Sequence, residues 1–259
     1  MEFMSTKFVI DSSDPKLLEK ATRIAKEFVQ KYICDDIVGI VFLGAIVRGY
    51  FDRYADIDIA IFKKEGSQLP ITEKFYKVED IEVQIWLSDY ESELTNPWDM
   101  AKRWTYSQSQ IYFDPQEKIV RLLKEKVPLK PEEKRWLMMS GLTLSEWYIN
   151  RLTELWIERG NIVSAHHMFD QGLIYFFDML FGLNNELVAD MKWRYYCVEQ
   201  LEQLPHNFKD KLKEIMILNS FTREELDRRR NAFMGMWREM QPIIEGEVHM
   251  TFEEITQIV

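Results

Sequence analysis

The sequence predicts an α+β protein, with a mixed β-sheet and its flanking helices first and an all-α helical bundle after it. Two observations lead to this prediction. Up to about residue 113, apolar residues come in short β-rich runs, and from residue 131 onward they recur at helical spacing. The change in pattern begins near the turn pair Asp114-Pro115, so we expect two domains, residues 1–115 and residues 116–259.

The first domain is predicted to begin with a helix and a buried strand. Ser13 or Asp14 can cap the helix and Pro15 suits its first turn, while apolar residues from Leu17 to Phe28 mark one face. The run IVGIVFLG follows and is almost wholly apolar. A strand of this kind is predicted to be buried on both faces.

Three further strands are predicted in the first domain. The second strand is ADIDIAIF, and the fourth is SQIYFD, which the Asp114-Pro115 turn closes. The third lies within KFYKVEDIEVQIWLS, where apolar and polar residues alternate. This alternation places Ile81, Val83 and Ile85 on one side of the strand, and Glu82 and Gln84 on the other.

The second domain is predicted to be an antiparallel bundle of five helices with short connections. The first helix ends at Gly160 in a C-cap position, the second at Gly182, and Pro205 stops the third. Thr222 opens the last helix and is followed three residues later by Glu225, which predicts a capping box. The five helices are predicted in EEKRWLMMSGLTLSEWYINRLTELWIERG, IVSAHHMFDQGLIYFFDMLFGLN, ELVADMKWRYYCVEQLEQLP, FKDKLKEIMILNS and TREELDRRRNAFMGMWREMQPIIEGEV.

Composition excludes several classes of protein. The chain has 259 residues, of which 46% are hydrophobic, so it can bury a large core. Its net charge of −10 argues against a nucleic-acid partner, because such affinity comes largely from lysine and arginine. The only cysteines are Cys34 and Cys197, which argues against a disulfide framework or structural zinc and favours a cytoplasmic location. No apolar run is long enough to span a bilayer, so no membrane association is expected.

Two carboxylates interrupt the predicted second strand. Residues two apart on a strand share a face, so Asp56 and Asp58 are predicted to project side by side, roughly 7 Å apart at the backbone. Adjacent carboxylates repel each other unless a cation lies between them, and magnesium prefers such oxygen ligands. Glu82 on the neighbouring strand would complete a site for two metal ions, or act as a general base.

Gly44 and Arg48 precede these aspartates and suggest a phosphate ligand. Gly44 ends the first strand, and without a side chain it would let backbone N–H groups approach a phosphate closely. A helix starting nearby would add the positive end of its dipole. Arg48, four residues later, is placed to contact a phosphate bidentately.

The stretch GAIVRGYFDRYADIDIAIF resembles the DNA polymerase β-like nucleotidyltransferase superfamily. Its members carry Gly-Ser, ten residues, then Asp-hydrophobic-Asp, and later a third carboxylate on a neighbouring strand. Here Gly44-Ala45 is followed by ten residues and then by Asp56-Ile57-Asp58. Arg48-Gly49 matches a pair often found in the minimal and antibiotic-modifying branches, and Glu82 is the match for the third carboxylate.

The resemblance covers residues 35–90 and departs from the superfamily at one position. Ala45 stands where the superfamily has a serine whose hydroxyl helps to hold the nucleotide's phosphates, so Ala45 can offer only its backbone N–H. The helical half looks more loosely like the bundles fused to aminoglycoside and lincosamide nucleotidyltransferases, and like HEPN-type helical domains. In such enzymes the bundle helps to shape the acceptor pocket.

The resemblance implies a metal-dependent nucleotidyltransferase that transfers a nucleoside monophosphate, AMP from ATP in the leading case, to a hydroxyl of a small-molecule acceptor. Two Mg²⁺ ions and ATP or another NTP would bind the site. Asp56, Asp58 and Glu82 would be catalytic and hold the metal. A homodimer that shares its cleft follows from family analogy alone. The residues that would bind the nucleotide are Gly44, Ala45 and Arg48.

Two alternatives to this function stay open. Ala45 favours a nucleotide-binding regulatory or antitoxin-like module whose catalytic site is eroded, whereas the aspartates and Glu82 argue against it. The same site chemistry would also suit an adenylyltransferase that modifies protein side chains. Within the helical half, we assign no metal to His166 or His167, and we expect RRRNA, from Arg228, to be an exposed helix face rather than a nucleic-acid patch.

Overall fold

The structure, a computed structural model, describes residues 8–259 and divides the chain into two compact units, Met1–Pro128 and Leu129–Val259. The first unit contains a mixed sheet with helices, and residues 129–259 are helical with irregular connections, so the α+β prediction is confirmed. The predicted boundary after residue 115 lies inside the first unit. The helix Lys118–Lys126 belongs to that unit because Ile119 fills the space beside Gly39, where a Cβ would lie 2.2 Å from Ile119 Cγ1.

The sheet of the first unit has five strands in the order β3-β4-β2-β1-β5. Strands β2 and β4 run parallel, and every other neighbouring pair is antiparallel. The strands are β1 (Ile37–Leu43), β2 (Ile57–Lys63), β3 (Phe75–Val78), β4 (Ile81–Asp89) and β5 (Gln110–Phe113). The helices are α1 (Pro15–Gln30), α2 (Ala45–Arg48), α3 (Tyr90–Thr95), α4 (Met100–Ser107) and α5 (Lys118–Lys126).

The first helix and the first strand form as the sequence predicts. The Asp14 carboxylate caps α1 by accepting from the Lys16 N–H at 2.8 Å, and Pro15 occupies the first turn. Every residue of β1 is buried. This strand pairs with β2 on one side and β5 on the other, so neither of its edges is open.

The third predicted strand proves to be a hairpin of β3 and β4. Glu79 and Asp80 join the two strands with φ values of 46° and 68°, the left-handed conformation that a two-residue hairpin turn requires. Neither residue is glycine or asparagine, so the local sequence carries no strong signal for a hairpin turn. Two side chains from α1 hold it: Arg23 Nη2 contacts the Glu79 carboxylate at 2.9 Å, and Lys20 Nζ donates to the Glu79 carbonyl at 2.9 Å.

The second unit is built mainly from three long helical stretches. Gly160, with φ 73°, ends the first stretch, and the Thr222 hydroxyl accepts from the Glu225 N–H at 3.3 Å to cap the last. No helix within residues 8–259 is long and apolar enough to cross a membrane. The helices are α6 (Pro131–Glu146), a π-helical segment (Trp147–Leu152) continuing into α7 (Thr153–Glu158), α8 (Ile162–Leu183), α9 (Arg194–Val198), α10 (Phe208–Met216), α11 (Arg223–Val248) and α12 (Phe252–Ile255).

The prediction of a third helix in this unit is largely wrong, because only the short α9 forms within residues 186–205. Leu187, Val188 and Ala189 are consecutive and all buried, with 8%, 4% and 1% exposure, in a segment without regular structure. The segment follows Asn185, whose φ of 57° ends the path of α8.

Two predictions about α11 are also wrong. The Glu225 carboxylate contacts Asn219 and Arg228 instead of returning to Thr222 as a capping box requires. The arginine run is not an exposed face either, because the Arg229 side chain is only 3% exposed. Charge and helical spacing alone favoured a solvated arginine face, and the burial of Arg229 depends on partners distant in sequence.

Arg229 joins α8, α10 and α11. Its guanidinium donates to the Ile215 carbonyl at 2.7 Å, to His166 Nδ1 at 3.0 Å and to Asp170 Oδ1 at 2.6 Å. Since Arg229 donates to Nδ1, His166 is neutral with its proton on Nε2. Burial lowers the pKa of His166, and the charge of Arg229 lowers it further.

We expect Arg229→Met to lower the free energy of unfolding by roughly 2–4 kcal/mol, because it leaves three acceptors without their donor. Urea unfolding followed by circular dichroism would measure this change. Arg238→Met, an exposed arginine on the same helix, is the matched control and should change stability by about 0.5 kcal/mol or less. Equal effects of the two substitutions would contradict a special role for Arg229.

Asp178 on α8 makes stability depend on pH. Burial raises the pKa of Asp178 from 3.8 to about 6, although Arg194 Nη1 lies 3.4 Å from Oδ1 and opposes the shift. The folded protein therefore binds more protons than the unfolded chain between about pH 4 and pH 6. Its free energy of unfolding should fall as pH rises through this window.

We expect Asp178→Asn to raise the free energy of unfolding at pH 7.5 by about 1–3 kcal/mol, because it removes a carboxylate that burial disfavours. The gain should shrink toward pH 4, where the native side chain is itself protonated. Thermal unfolding at the two pH values would test this, with Asp210→Asn, whose side chain is 85% exposed, as the control. A gain independent of pH would contradict the explanation.

Candidate functional site

The two aspartates of the motif lie at the start of β2. Asp58 is the second residue of the strand, and Asp56 comes immediately before it. Ile57 and Ile59 are fully buried, whereas both aspartates are half-buried. The alternation therefore has the predicted phase, with apolar side chains toward the core and both carboxylates on the other side.

Gly44 packs directly against Asp58. Leu43 at the end of β1 pairs with Asp58, and a Cβ on the next residue, Gly44, would lie 2.3 Å from Asp58 Oδ2. The Gly44 backbone has φ 65° and ψ −142°, close to a region that is nearly restricted to glycine. Gly44 is thus required here because it leaves room for the Asp58 carboxylate. Ala45, the next residue, is 4% exposed and begins α2.

Arg48 lies at the end of α2 and is only 4% exposed. Its guanidinium carbon is 4.0 Å from the Trp104 ring centroid and 5.2 Å from the Phe8 ring centroid, and Nε donates to Gln108 Oε1 at 3.2 Å. These contacts anchor α2 to α4 and to the segment after it. The predicted contact of Arg48 with a phosphate stays a prediction.

Glu82 reaches the site through the parallel pairing of β4 with β2. Ile57 pairs with Val83 and Asp58 with Gln84, so Glu82 lies beside Asp56 one residue before the first paired position. Val83 is buried and Glu82 is exposed, as the alternation of this strand predicts. The parallel register therefore brings Glu82 next to Asp56 rather than next to Asp58.

Asp56 and Glu82 line the same cleft, which has a volume of about 470 Å³. One wall comes from α1, a second from the loop before β2, and the third from the β3–β4 turn. A group bound in this cleft could reach both carboxylates. The lining residues are Leu17, Lys20, Phe51, Asp52, Arg53, Tyr54, Ala55, Asp56, Glu79, Asp80, Ile81 and Glu82.

The three predicted metal-binding carboxylates do not form a complete metal site by themselves. Within residues 8–259, no group of three His, Cys, Asp or Glu side chains lies close enough together to hold a metal ion. Asp56 and Asp58 nevertheless offer hard oxygen donors on one side of β2. Magnesium is commonly held by one or two carboxylates together with substrate phosphates, so the two aspartates fit such an ion.

Sequence reasoning missed Trp86, which belongs to this site. Its indole Nε1 donates to Asp58 Oδ1 at 3.3 Å, and the residue is 45% exposed. A period of two residues along β4 relates Trp86 to Gln84 and Glu82, so the three share the polar side of the strand. An aromatic residue at a polar position of this alternation was the available signal.

Tyr50 was also missed, and it lies within electrostatic range of both aspartates. Burial raises the pKa of the Tyr50 hydroxyl to about 12, and the nearby negative charges of Asp52, Asp56 and Asp58 add to the shift while Arg48 opposes it. Tyr50 is 9% exposed and stacks on Phe8, with the ring centroids 6.1 Å apart. The hydroxyl therefore stays protonated near the two carboxylates at neutral pH.

Comparison with known proteins adds a distant likeness. No family model matches the chain, and no curated protein matches it. Among solved structures, the chain is similar to a nucleotidyltransferase-like protein from Exiguobacterium sibiricum 255-15, with 11% identity, a TM-score of 0.48, and coverage of 90% of this chain and 78% of that chain. The function proposed for this protein therefore depends on the geometry of its own residues.

We expect Gly44→Ala to destabilise the protein by roughly 2 kcal/mol more than Gly66→Ala. Both glycines have positive φ, but a Cβ on Gly66 meets nothing within 4 Å, whereas a Cβ on Gly44 would lie 2.3 Å from the Asp58 carboxylate. Urea unfolding of the two variants would measure the difference. Equal destabilisation would mean that Asp58 moves away from Gly44 at little cost.

Proposed function

We propose that the protein is a magnesium-dependent nucleotidyltransferase. The observation that carries this proposal is the placement of Asp56 and Asp58 at the start of β2, with Gly44 packed against the Asp58 carboxylate. The motif spacing in the sequence supports the same function independently. Two half-buried carboxylates on one side of a strand repel each other, and a bound cation with its phosphate ligands would relieve that repulsion.

Asp56 and Asp58 would hold a magnesium ion together with the phosphates of an NTP. When bound, the ion would neutralise the charge that develops on the phosphate oxygens. A second ion, as the resemblance implies, would need Glu82 as an additional ligand. Gly44 and the backbone N–H of Ala45 would lie beside the phosphates, and Arg48 would hold α2 in place behind them.

Glu82 is proposed as the general base. It would take the proton of the acceptor hydroxyl as the hydroxyl oxygen bonds to the α-phosphorus of ATP. The bond from the α-phosphorus to the oxygen bridging to the β-phosphate would break, and pyrophosphate would leave with that electron pair. The products would be an AMP ester of the acceptor and pyrophosphate.

The cleft beside Asp56 and Glu82 is proposed to bind the acceptor. Its volume of about 470 Å³ lies within the range of pockets for small molecules. Both charge signs line it, including Lys20 and Arg53 as cations. A small molecule that carries hydroxyl groups fits this lining better than an apolar compound does.

A second function is favoured by one pair of observations. Ala45 supplies no hydroxyl for the phosphates, and the three carboxylates do not close into one group within residues 8–259. Both features suit a regulatory module that binds a nucleotide without turning it over. Such a module would bind ATP with magnesium but would release no pyrophosphate.

Calorimetric titration with α,β-methylene-ATP and magnesium tests the proposed site. We expect the double variant Asp56→Asn/Asp58→Asn to weaken binding at least tenfold, because it removes both charges that hold the ion. Asp35→Asn/Asp210→Asn, which changes two exposed aspartates, is the matched control and should bind as the native protein does. Native protein that binds no ATP, GTP or CTP analogue would contradict both functions.

Glu82→Gln separates the two functions. For a transferase in which Glu82 is the base and not a ligand of a second ion, we expect this variant to keep nucleotide affinity within about twofold and to lose transfer by a factor of about 10²–10⁴. Transfer would be measured with ATP labelled at the α-phosphate and a panel of hydroxylated small molecules. Tight nucleotide binding by the native protein with no pyrophosphate release against any acceptor would favour the regulatory module.

A further inference from the structure

A row of paired residues crosses the sheet on the side that carries Asp58. Leu43 at the end of β1 pairs with Asp58 on β2. Gln84 on β4 pairs with Asp58 on one side and with Phe75 on β3 on the other. Directly paired residues project to the same side of a sheet, and neighbouring strands lie about 4.8 Å apart. The backbone of Phe75 is therefore roughly 10 Å from that of Asp58.

The outer end of this row is aromatic and exposed. Phe75 is 48% exposed, and Trp86 is 45% exposed. Trp86 comes two residues after Gln84 on β4, so it projects to the side of the sheet that carries the row. The opposite side of these strands is covered, because Tyr76 packs on Phe28 of α1 with the ring centroids 5.1 Å apart. The open side of β3 and β4 is thus the side that carries the row.

A lysine lies beside both exposed rings. Lys74 Nζ is 4.2 Å from the Trp86 ring centroid and 5.5 Å from the Phe75 ring centroid. The two rings therefore lie close enough together for one ligand to contact both. Lys74 is itself exposed, and a cation–π contact at an exposed site is weak. A flat ring could therefore replace the ammonium group on the indole at little cost.

The direction of the row favours the base of a nucleotide as the ligand of these rings. In the proposed function the phosphates lie beside Gly44, which follows Leu43 at the other end of the row. Trp86 Nε1 is 3.3 Å from Asp58 Oδ1, so the exposed rings are continuous with that site, and a ribose and a base can span the distance. The proposed acceptor cleft does not compete for this surface, because neither Phe75 nor Trp86 lines it.

We propose that Trp86, Phe75 and Gln84 form a nucleobase subsite, in which the base stacks on the indole and its edge meets the Gln84 amide. This inference rests on the proposed function, in which the ligand is an NTP. Every base has a π-face, so stacking on an exposed indole gives affinity for any of them. The Gln84 amide adds a preference, because it can donate to N7 of adenine and accept from the N6 amino group, whereas guanine has a carbonyl at that position.

Ligands with and without a base test the subsite. We would titrate α,β-methylene-ATP and tripolyphosphate, each with magnesium, into native protein and into Trp86→Leu by calorimetry. We expect Trp86→Leu to weaken binding of the ATP analogue about tenfold or more, and to change binding of tripolyphosphate by less than about twofold, because only the first ligand has a base to stack.

Trp136→Leu, at a tryptophan that is 51% exposed in the second unit, is the matched control and should change neither affinity by more than about twofold. Circular dichroism would show that each variant is folded. Equal losses for the two ligands in Trp86→Leu would overturn the inference. Unchanged affinity for the ATP analogue in a folded Trp86→Leu protein would overturn it as well.

Trp86→Phe separates stacking from the hydrogen bond to Asp58. This substitution removes the indole N–H and keeps an aromatic ring. Because a phenyl ring can still stack on a base, the variant should bind the ATP analogue within about threefold of the native affinity. A loss as large as that of Trp86→Leu would show that the hydrogen bond, rather than the ring, accounts for binding, and would contradict the stacking role.

Gln84→Leu tests the preference for adenine. The native protein should bind α,β-methylene-ATP about tenfold more tightly than α,β-methylene-GTP, and Gln84→Leu should bind the two within about twofold of each other. Gln116→Leu, at an exposed glutamine of the first unit, is the control and should keep the native preference. A preference for ATP that survives Gln84→Leu, or none in the native protein, would overturn the role of Gln84.

Adenosine without phosphate or metal gives a readout that does not depend on turnover. In ¹H–¹⁵N spectra, the Trp86 indole signal is the one absent from Trp86→Phe. We expect adenosine, in the presence of EDTA, to shift this signal and to leave that of Trp136 in place. An equal shift of both signals, or a shift of the Trp86 signal by ribose as large as by adenosine, would overturn the assignment of the base to this surface.

Failure of the proposed function would look different. A protein in which adenosine shifts the Trp86 signal, but which releases no pyrophosphate from ATP with any acceptor, would keep the subsite and lose the transferase. A protein that transfers AMP with an unchanged KM for ATP after Trp86→Leu would keep the transferase and lose the subsite. Native protein that binds neither adenosine nor an ATP analogue would overturn both.

Discussion

The contact between Gly44 and the Asp58 carboxylate is the constraint on which the candidate site depends. Antiparallel pairing of β1 with β2 sets Leu43 opposite Asp58, so the residue after Leu43 must pass close to that carboxylate. Only a residue without a Cβ can do so here, at a backbone conformation that also favours glycine. The start of α2, the end of β1 and the aspartate pair therefore take up their positions together.

The charged residues of the first unit are held by contacts of different kinds. Arg48 is buried against aromatic rings, and its positive charge lies near Tyr50 and partly offsets the effect of the nearby aspartates. Trp86 lies on β4, on the side of β2 away from β1, and donates one hydrogen bond to Asp58. Glu82 has no such support and is exposed at the cleft. The site thus combines an Asp58 that is packed and hydrogen-bonded with a Glu82 that is exposed to solvent.

The helical unit buries charged groups where its helices pack together. Arg229 satisfies acceptors on α8 and at the end of α10, which explains why an arginine can be almost fully buried. Asp178 has less compensation, so burial raises its pKa toward neutrality. The effect of burial on a charged group in this unit therefore depends on how many partners the surrounding helices provide.

The sequence by itself determined the α+β architecture and the buried strand β1. It also determined which residues of β2 and β4 face the core, and the helix ends at Asp14, Gly160 and Thr222. These features depend on residues adjacent or regularly spaced in the chain, which is what periodicity and capping report. Only the tertiary structure decided the Glu79-Asp80 turn, the burial of Arg229, the irregular path after α8, and the contact of Trp86 with Asp58. Each of these depends on groups distant in the chain, such as Arg23 at the turn or β4 beside β2, so no local pattern could specify it.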